Sequence, residues 1–148
     1  MKILFIGGNG NISWHCVQEA ITAGHEVCEL NRAATRNTRR HVQPEVRQII
    51  ADIRDDAAVA AALTGEFFDV VCDFICFNEN QARQAVRRFQ GRTKQYIVIS
   101  SEAVYRRESR FLPFKENTPQ YAENVEDGYI AGKLQVERIF REDLMGWN

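Results

Sequence analysis

A tyrosine and a lysine in the last part of the chain form the first pattern with chemical meaning. Tyr129 and Lys133 stand four residues apart in "YIAGK", and on a helix this spacing places both side chains on one face. A lysine ammonium beside a phenol stabilises the phenolate form, which allows the tyrosine to act as a general acid or base near neutral pH. The alternative interpretation is two ordinary surface residues of an amphipathic helix.

Two serines precede this pair, in "VISSEAVY", directly after an apolar run that is typical of a strand. Ser100 and Ser101 are therefore expected at the carboxyl edge of a sheet, where open α/β sheets bind ligands. A hydroxyl at this edge can hydrogen-bond a substrate oxygen while that oxygen gains or loses a proton.

The stretch "FIGGNGNIS" near the start has the composition of a phosphate-binding turn, with Gly7, Gly10 and Ser13 at G-x-x-G-x-x-S spacing. The first glycine permits a tight turn after a strand, and the second lets a diphosphate approach the backbone. The third position only needs a small residue, because a helix packs on the strand there. The N–H groups at the start of the following helix, where Asn11 and Ile12 lie, favour phosphate. The pattern predicts dinucleotide binding rather than a plain glycine-rich turn.

The residues after the second predicted strand bear on which dinucleotide is bound. An acidic residue there holds a ribose 2′-hydroxyl, whereas an arginine accommodates a 2′-phosphate. This sequence has Asn31 and Arg32 at these positions, and Arg32 opens the stretch "RAATRNTRRH", which has no acidic residue. With Arg32 and Arg36 as candidates for the phosphate, the sequence favours NADP slightly over NAD. A solvated loop is the alternative interpretation of this charged stretch.

Alternating apolar runs and helical patterns supply the elements that position these residues. Strands are predicted at Lys2–Ile6, Glu26–Asn31, Val46–Ile50, Asp69–Ile75 and Gln95–Ser101. Helices are predicted at Ile12–Ala23, Asp55–Leu63, Asn78–Phe89 and Gly128–Met145. The alternation predicts an α/β, Rossmann-like, doubly wound parallel sheet of five strands with helices on both faces, as one domain over residues 1–148. The long irregular segment Glu102–Asp127 is predicted to be a functional loop.

Composition excludes several classes of protein. The chain has 148 residues, of which 45% are hydrophobic, and a net charge of −1, which argues against a nucleic-acid or membrane-surface protein. The sequence starts directly with a strand, without a signal peptide, so a cytoplasmic location is expected. The four cysteines form no C-x-x-C pair; packed, reduced thiols are expected and a metal site is not.

Five pieces of the sequence together resemble the extended short-chain dehydrogenase/reductase superfamily, and within it the NAD-dependent epimerase/dehydratase family. They are "GGNGNIS", "LNR", "ADIRD", "VISSEAVY" and "YIAGK", which occur in the family's order along the whole chain. A serine at the third position of the glycine turn is similar to a form found within the family. The resemblance therefore supports a working phosphate-binding turn.

This resemblance implies roles for individual residues. Tyr129 would be the catalytic acid/base, Lys133 would bind the nicotinamide ribose and tune Tyr129, and Ser101 would orient the substrate. The family oxidises a carbon of a nucleotide-sugar transiently, and returns the hydride after epimerisation or elimination. Tyr129 would remove the hydroxyl proton as the hydride leaves.

The same resemblance implies four further cofactor contacts. Asp52 and Ile53, in "ADIRD", would contact the adenine. Phe74 and Ile75, at the end of the fourth strand, would line the cofactor beyond the diphosphate.

Members of the family are longer than this chain, and add closing strands and a C-terminal domain that binds the nucleotide-sugar. The chain is therefore expected to correspond to the cofactor-binding part of such an enzyme. An alternative is a non-catalytic NAD(P)-binding module or truncated fragment. An RNA-binding relative is a third interpretation, disfavoured by the near-neutral charge. Because the family commonly dimerises through helices such as Asn78–Phe89 and Gly128–Met145, a homodimer is expected.

Overall fold

Five parallel strands form one sheet in the computed structural model, which describes residues 1–32, 43–108, 110, 112–121 and 124–143. In chain order the strands are β1 (Lys2–Ile6), β2 (Glu26–Asn31), β3 (Arg47–Ile50), β4 (Phe68–Asp73) and β5 (Thr93–Val98). Their order across the sheet is β3-β2-β1-β4-β5, and every neighbouring pair is parallel. This is the strand order of a dinucleotide-binding Rossmann sheet, so the predicted fold is confirmed.

Four α-helices accompany the strands in the described residues: α1 (Ser13–Thr22), α2 (Asp56–Ala62), α3 (Glu79–Phe89) and α4 (Gly128–Asp143). A short 3-10 helix spans Glu102–Val104. None of the helices within the described ranges is both long and apolar enough to cross a membrane. The predicted end of the last helix, at Met145, lies outside the described residues.

Two predicted strands extend past their observed ends. β4 stops at Asp73 instead of Ile75, and β5 stops at Val98 instead of Ser101. After β4, the Asp73 carboxylate accepts a 2.8 Å hydrogen bond from the N–H of Ile75. This bond accompanies a bend of the chain out of the strand direction, although the next residues, Phe74 and Ile75, are still apolar. The Ile75 and Ser101 positions therefore belong to the connections at the carboxyl edge.

The chain divides into two compact units. The first comprises Met1–Ile75 and Arg88–Ile99, and the second comprises Cys76–Arg87 and Ser100–Asn148. The first unit holds the complete sheet with α1 and α2, whereas the second holds the 3-10 helix and α4. The interpretation of residues 1–148 as one domain stays a prediction.

The core of the first unit is an apolar cluster that fixes α1 on the sheet. Val17 and Ala20 of α1 are buried in this cluster. The other members are Ile3 and Phe5 of β1, Val27 of β2, Val70 of β4, and Val46, which precedes β3. Burial of such side chains stabilises the fold by about 1.5–3 kcal/mol for each large aliphatic or aromatic residue. The start of α1, which follows the glycine turn, is thereby held in one position.

In the second unit, α4 packs against the 3-10 helix. Its buried apolar side chains are Leu134, Val136, Ile139 and Phe140. Asp127 stands before the first turn of α4, where its carboxylate accepts hydrogen bonds from the N–H groups of Tyr129 (2.9 Å) and Ile130 (3.1 Å). This is the N-terminal capping that unpaired N–H groups of a first helical turn need.

Candidate functional site

The turn between β1 and α1 depends on glycine at its first position. The backbone of Gly7 has φ +77°, and a Cβ added there would lie 2.7 Å from Cγ2 of Ile75. The N–H of Gly7 donates to the carbonyl of Leu30, at the end of β2, over 3.2 Å. A side chain at this position is excluded both by conformation and by the close approach of Ile75.

Ser13 is built into the same turn. Its hydroxyl donates to the carbonyl oxygen of Gly7 (2.7 Å) and accepts from the N–H of Gly10 (2.9 Å). The side chain is buried, and a Cβ at Gly10 would lie 3.0 Å from its oxygen. The serine that departs from the usual glycine therefore stabilises the turn by two hydrogen bonds, which a glycine cannot make.

A cleft of about 250 Å³ opens beside this turn, at the carboxyl edge of the sheet. Its lining residues all belong to the first unit: Gly7, Asn9, Gly10, Leu30, Asn31, Arg32, Ala51, Ile53 and Ile75. Six of them are predicted cofactor residues, namely Gly7, Gly10, Asn31, Arg32, Ile53 and Ile75. The structure thus brings together positions from the ends of four segments that are far apart in sequence.

Four other predicted cofactor residues of the first unit do not line this cleft. Asn11 and Ile12 are exposed immediately before α1, and the Asp52 carboxylate accepts a 3.0 Å hydrogen bond from the N–H of Arg54. Phe74 packs against the apolar core cluster, with its ring 6.4 Å from that of Phe5. Their contacts with a cofactor stay predictions.

Three lining residues were not among the predicted ones. Asn9 lies inside the glycine turn, while Leu30 and Ala51 directly precede Asn31 and Asp52 in sequence. Their proximity to predicted residues is a signal that sequence inspection can use. Arg36, the second candidate for a 2′-phosphate, lies outside the described residues.

The predicted catalytic residues all lie in the second unit. Tyr129 is in the first turn of α4, its side chain is 48% exposed, and its ring lies 6.5 Å from that of Phe77. Such exposure leaves the phenol accessible to a substrate. The effect of Lys133 on the phenol stays a prediction.

Lys133 lies one turn further along α4 and is 2% exposed. Its Nζ donates to the carbonyl oxygen of Cys76 (2.8 Å) and stands 4.6 Å from the centre of the Phe77 ring. A buried ammonium needs such partners, since its transfer from water without them is costly. The position of the Lys133 ammonium therefore depends on Cys76 and Phe77.

Gly132, directly before Lys133, lies close to the backbone of Phe77. A Cβ at Gly132 would lie 2.2 Å from the carbonyl oxygen of Phe77. Real Cβ atoms do not approach an oxygen so closely, so only glycine fits. Sequence analysis missed this role, because nothing near Gly132 in sequence indicates the approach.

The two serines have different partners. The Ser100 hydroxyl donates to the carboxylate of Glu137, on α4, over 2.5 Å. The Ser101 oxygen accepts from the N–H of Ala103 (3.2 Å) and so caps the 3-10 helix. In the part of the chain that the structure describes, the hydrogen of the Ser101 hydroxyl has no acceptor. Of the two, Ser101 is therefore the serine whose hydrogen a substrate oxygen can accept.

Comparisons with known proteins identify the family. The model of a family described as NAD(P)H-binding matches residues 7–148. The chain belongs to this family. A UDP-glucose 4-epimerase of Lactobacillus helveticus is 28% identical over 155 aligned residues, which cover 94% of this chain and 46% of that protein. One of Lacticaseibacillus casei is 29% identical with the same coverage. The chain thus spans about half the length of these relatives.

Solved structures agree on the fold. The crystal structure of UDP-glucose 4-epimerase from Bifidobacterium longum, in complex with NAD+ and UDP, has a TM-score of 0.78 at 20% identity. The superposition covers 99% of this chain and 50% of that one. The resemblance to epimerases of the short-chain dehydrogenase/reductase type is confirmed, and the matched part is the N-terminal, cofactor-binding portion.

No group of three or more His, Cys, Asp or Glu side chains suited to a metal ion occurs within the described ranges.

Proposed function

We propose that this chain binds NAD or NADP with the adenosine half in the cleft of the first unit. The residues fit such a ligand, because Gly7 and Gly10 leave the turn open where any Cβ would close it. The N–H groups of Asn11 and Ile12 precede α1 and suit a diphosphate. Asn31 and the apolar residues Ala51 and Ile53 suit a ribose and an adenine.

Arg32 supports NADP over NAD. Its exposed side chain lines the cleft beside Asn31, where a guanidinium can make charge-assisted hydrogen bonds to a 2′-phosphate. We expect Arg32→Ala to weaken the binding of NADPH more than that of NADH.

We further propose that the chain is the dinucleotide-binding part of a nucleotide-sugar epimerase, dehydratase or related reductase. The observation that carries this proposal is the grouping of Ser101, Tyr129 and Lys133 in one compact unit, where α4 packs against the 3-10 helix that Ser101 begins. The names of the relatives, UDP-glucose 4-epimerases, support a nucleotide-sugar as the substrate.

Each of the three side chains has a distinct role in this proposal. The exposed Tyr129 phenol exchanges a proton with a sugar hydroxyl, and the Ser101 hydroxyl donates a hydrogen bond to the same oxygen. Lys133, one turn along α4 from Tyr129, donates to a hydroxyl of the nicotinamide ribose. The nicotinamide ring, when bound, supplies the acceptor and donor of the hydride.

A non-catalytic NAD(P)-binding module is the second candidate. It is favoured by Nζ of Lys133, which already donates to the carbonyl oxygen of Cys76.

The four cysteines are free thiols, which supports a reducing compartment such as the cytoplasm. The expected homodimer stays a prediction.

Titration of the chain with NADH and NADPH, followed by an assay of UDP-glucose and UDP-galactose interconversion, tests both candidates. Gly10→Val is expected to abolish cofactor binding, because its side chain would collide with Ser13 and fill the turn. Tyr129→Phe is the matched control, which should bind cofactor like the unchanged chain. Normal binding by Gly10→Val would refute the cofactor site.

The assay separates the two candidates. Turnover that Tyr129→Phe abolishes supports the enzyme. Turnover that survives in Tyr129→Phe contradicts the assigned role of the phenol. Saturable cofactor binding without turnover of either sugar supports the binding module.

A further inference from the structure

We propose that Glu29 is a positioning residue that turns the side-chain oxygen of Asn31 toward the cofactor cleft and so favours a ribose hydroxyl over a 2′-phosphate. The inference rests on the proposed cofactor site. It assigns a role to a buried acidic residue that lies outside the recognised motifs.

Glu29 is in the middle of β2 and is 2% exposed. It stands opposite Gln48 of β3 in the parallel register, and its Oε2 accepts from Nε2 of Gln48 over 2.8 Å. The same oxygen accepts from Nδ2 of Asn31, two residues along β2, over 3.2 Å. Oε2 of Glu29 thus accepts hydrogen bonds from the side-chain amides of both Asn31 and Gln48.

The carboxylate also lies directly beneath the glycine turn. A Cβ at Gly8 would be 2.6 Å from Oε1 of Glu29. Glycine at position 8 therefore leaves the room that this carboxylate occupies. Because the acid is enclosed by the turn and by β3, it cannot move away from Asn31 without repacking of its neighbours.

The chemistry of the two groups fixes the orientation of the Asn31 amide. Oε2 of Glu29 is the acceptor in this pair, so the amide presents its NH₂ group to Glu29. The carbonyl oxygen of the amide then lies on the other side of the planar group. Asn31 lines the cleft, and no donor to its side-chain oxygen is found in the described part of the chain.

An amide oxygen at this place accepts a hydrogen bond from a ribose hydroxyl but repels the oxygens of a phosphate, which offer no hydrogen. The neighbouring Arg32 acts in the opposite direction, since its guanidinium attracts a phosphate. The preference between NAD and NADP is therefore set by two adjacent residues with opposite effects, one of which Glu29 controls.

The test compares two substitutions of Glu29 by the ratio of the dissociation constants for NADPH and NADH. Glu29→Met has a similar length but no acceptor, so the Asn31 amide is free to turn its NH₂ group to a phosphate. We expect this variant to shift the ratio toward NADPH by about fivefold, the loss of about one hydrogen bond. Glu29→Gln is the matched control, because its amide oxygen still accepts from Asn31 and Gln48. Its ratio should stay close to that of the unchanged chain.

Equal shifts in both variants would mean that the negative charge, and not the orientation of Asn31, sets the preference, and would overturn the proposal. An unchanged ratio in a folded Glu29→Met variant would overturn it as well. Failure of the proposed cofactor site looks different, since the unchanged chain then binds neither nucleotide.

Asn31→Ala keeps the proposal testable if Glu29→Met does not fold, as judged by circular dichroism. This variant removes the amide oxygen itself and leaves Glu29 in place. It should weaken NADH binding more than NADPH binding, and so move the ratio in the same direction as Glu29→Met. A ratio that does not move in folded Asn31→Ala contradicts the proposal independently.

Discussion

The hydroxyl of Ser13 donates a 2.7 Å hydrogen bond to the carbonyl oxygen of Gly7, across the turn that connects β1 to α1. Because the same hydroxyl accepts from the N–H of Gly10, one buried side chain links the two glycines that shape the cleft. Ser13, the first residue of α1, therefore stabilises the turn through the two hydrogen bonds of its side chain, which a glycine at this position could not make.

Replacing Ser13 with alanine should lower the free energy of unfolding by about 1–2 kcal/mol, the net contribution of two partly buried hydrogen bonds. The affinity for NADH should fall in parallel, since the turn loses its support. Thr64→Ala is the control, because its hydroxyl makes one bond, to the Ala60 carbonyl, at an exposed helix end. Urea unfolding of both variants measures the difference, and equal stabilities would contradict the role of Ser13.

Gly132→Ala should destabilise the second unit by about 1–3 kcal/mol, the usual cost of forcing an extra carbon into a packed site. The added Cβ would meet the Phe77 carbonyl oxygen at 2.2 Å, so α4 must shift. Gly128→Ala is a matched control at the start of the same helix, where a Cβ meets nothing within 4 Å. Guanidinium unfolding of the two variants measures the difference in stability. Equal free energies of unfolding would contradict the close approach of Gly132 to Phe77.

The thiols of the chain should differ widely in reactivity. Burial raises the pKa of Cys72 to about 11 and also raises the pKa of Cys28 above its usual range, which keeps both as unreactive thiols near neutral pH. Cys76 is buried, whereas Cys16 is exposed. An aromatic disulfide reagent should therefore label Cys16 fast and the other three only after unfolding. A fast phase that persists in Cys16→Ser would contradict this assignment.

The sequence predicted well those strand ends that are marked by neighbouring residues in the chain. The bounds of β1 and β2 agree with the prediction, since the glycine turn follows β1 and a bend at Arg32 follows β2. The ends of β4 and β5 were placed too late, because apolar residues such as Ile75 continue past the last strand pairing. Where β4 ends is decided by the Asp73 carboxylate, which accepts from the N–H of Ile75.

Some residues of the candidate site could likewise be predicted from the sequence, and others could not. Gly7, Gly10 and Arg32 were predicted because turn chemistry and position after a strand are visible in the sequence. The Glu29 carboxylate was not, since its partner Gln48 is brought opposite it only by the pairing of β2 with β3. A buried acid inside a strand gives no signal until the register of the sheet is known.

An ion-pair cluster at one edge of the first unit gives the chain a predictable pH dependence. The Glu66 carboxylate accepts from Nζ of Lys2 (2.6 Å) and from Nη1 of Arg47 (3.0 Å). The hydrogen bond from Lys2, followed by that from Arg47, lowers the pKa of Glu66, and the bond to Glu66 raises the pKa of Lys2. The cluster therefore stabilises the fold most between the two unfolded-state pKa values.

The directions of these pKa shifts determine how the contribution of Glu66 changes with pH. Because the pKa of Glu66 is lower in the folded chain, its contribution is present above the unfolded value of 4.5 and is lost as pH falls through the folded value. Glu66→Gln should lower the free energy of unfolding by about 0.5–1 kcal/mol near neutral pH, the range for partly exposed pairs. The difference from the unchanged chain should shrink as the pH falls below 4.5 and should vanish below the lower pKa of Glu66 in the folded chain.

Urea unfolding across this pH range, with the exposed Glu45→Gln as control, measures the effect. The control removes the same charge from the surface without touching Lys2 or Arg47, so it should follow the unchanged chain at every pH. Added salt should reduce the contribution of Glu66, since ions screen exposed pairs. A Glu66→Gln deficit that does not shrink as the pH falls below 4.5 would show that the carboxylate acts through packing and not through its charge.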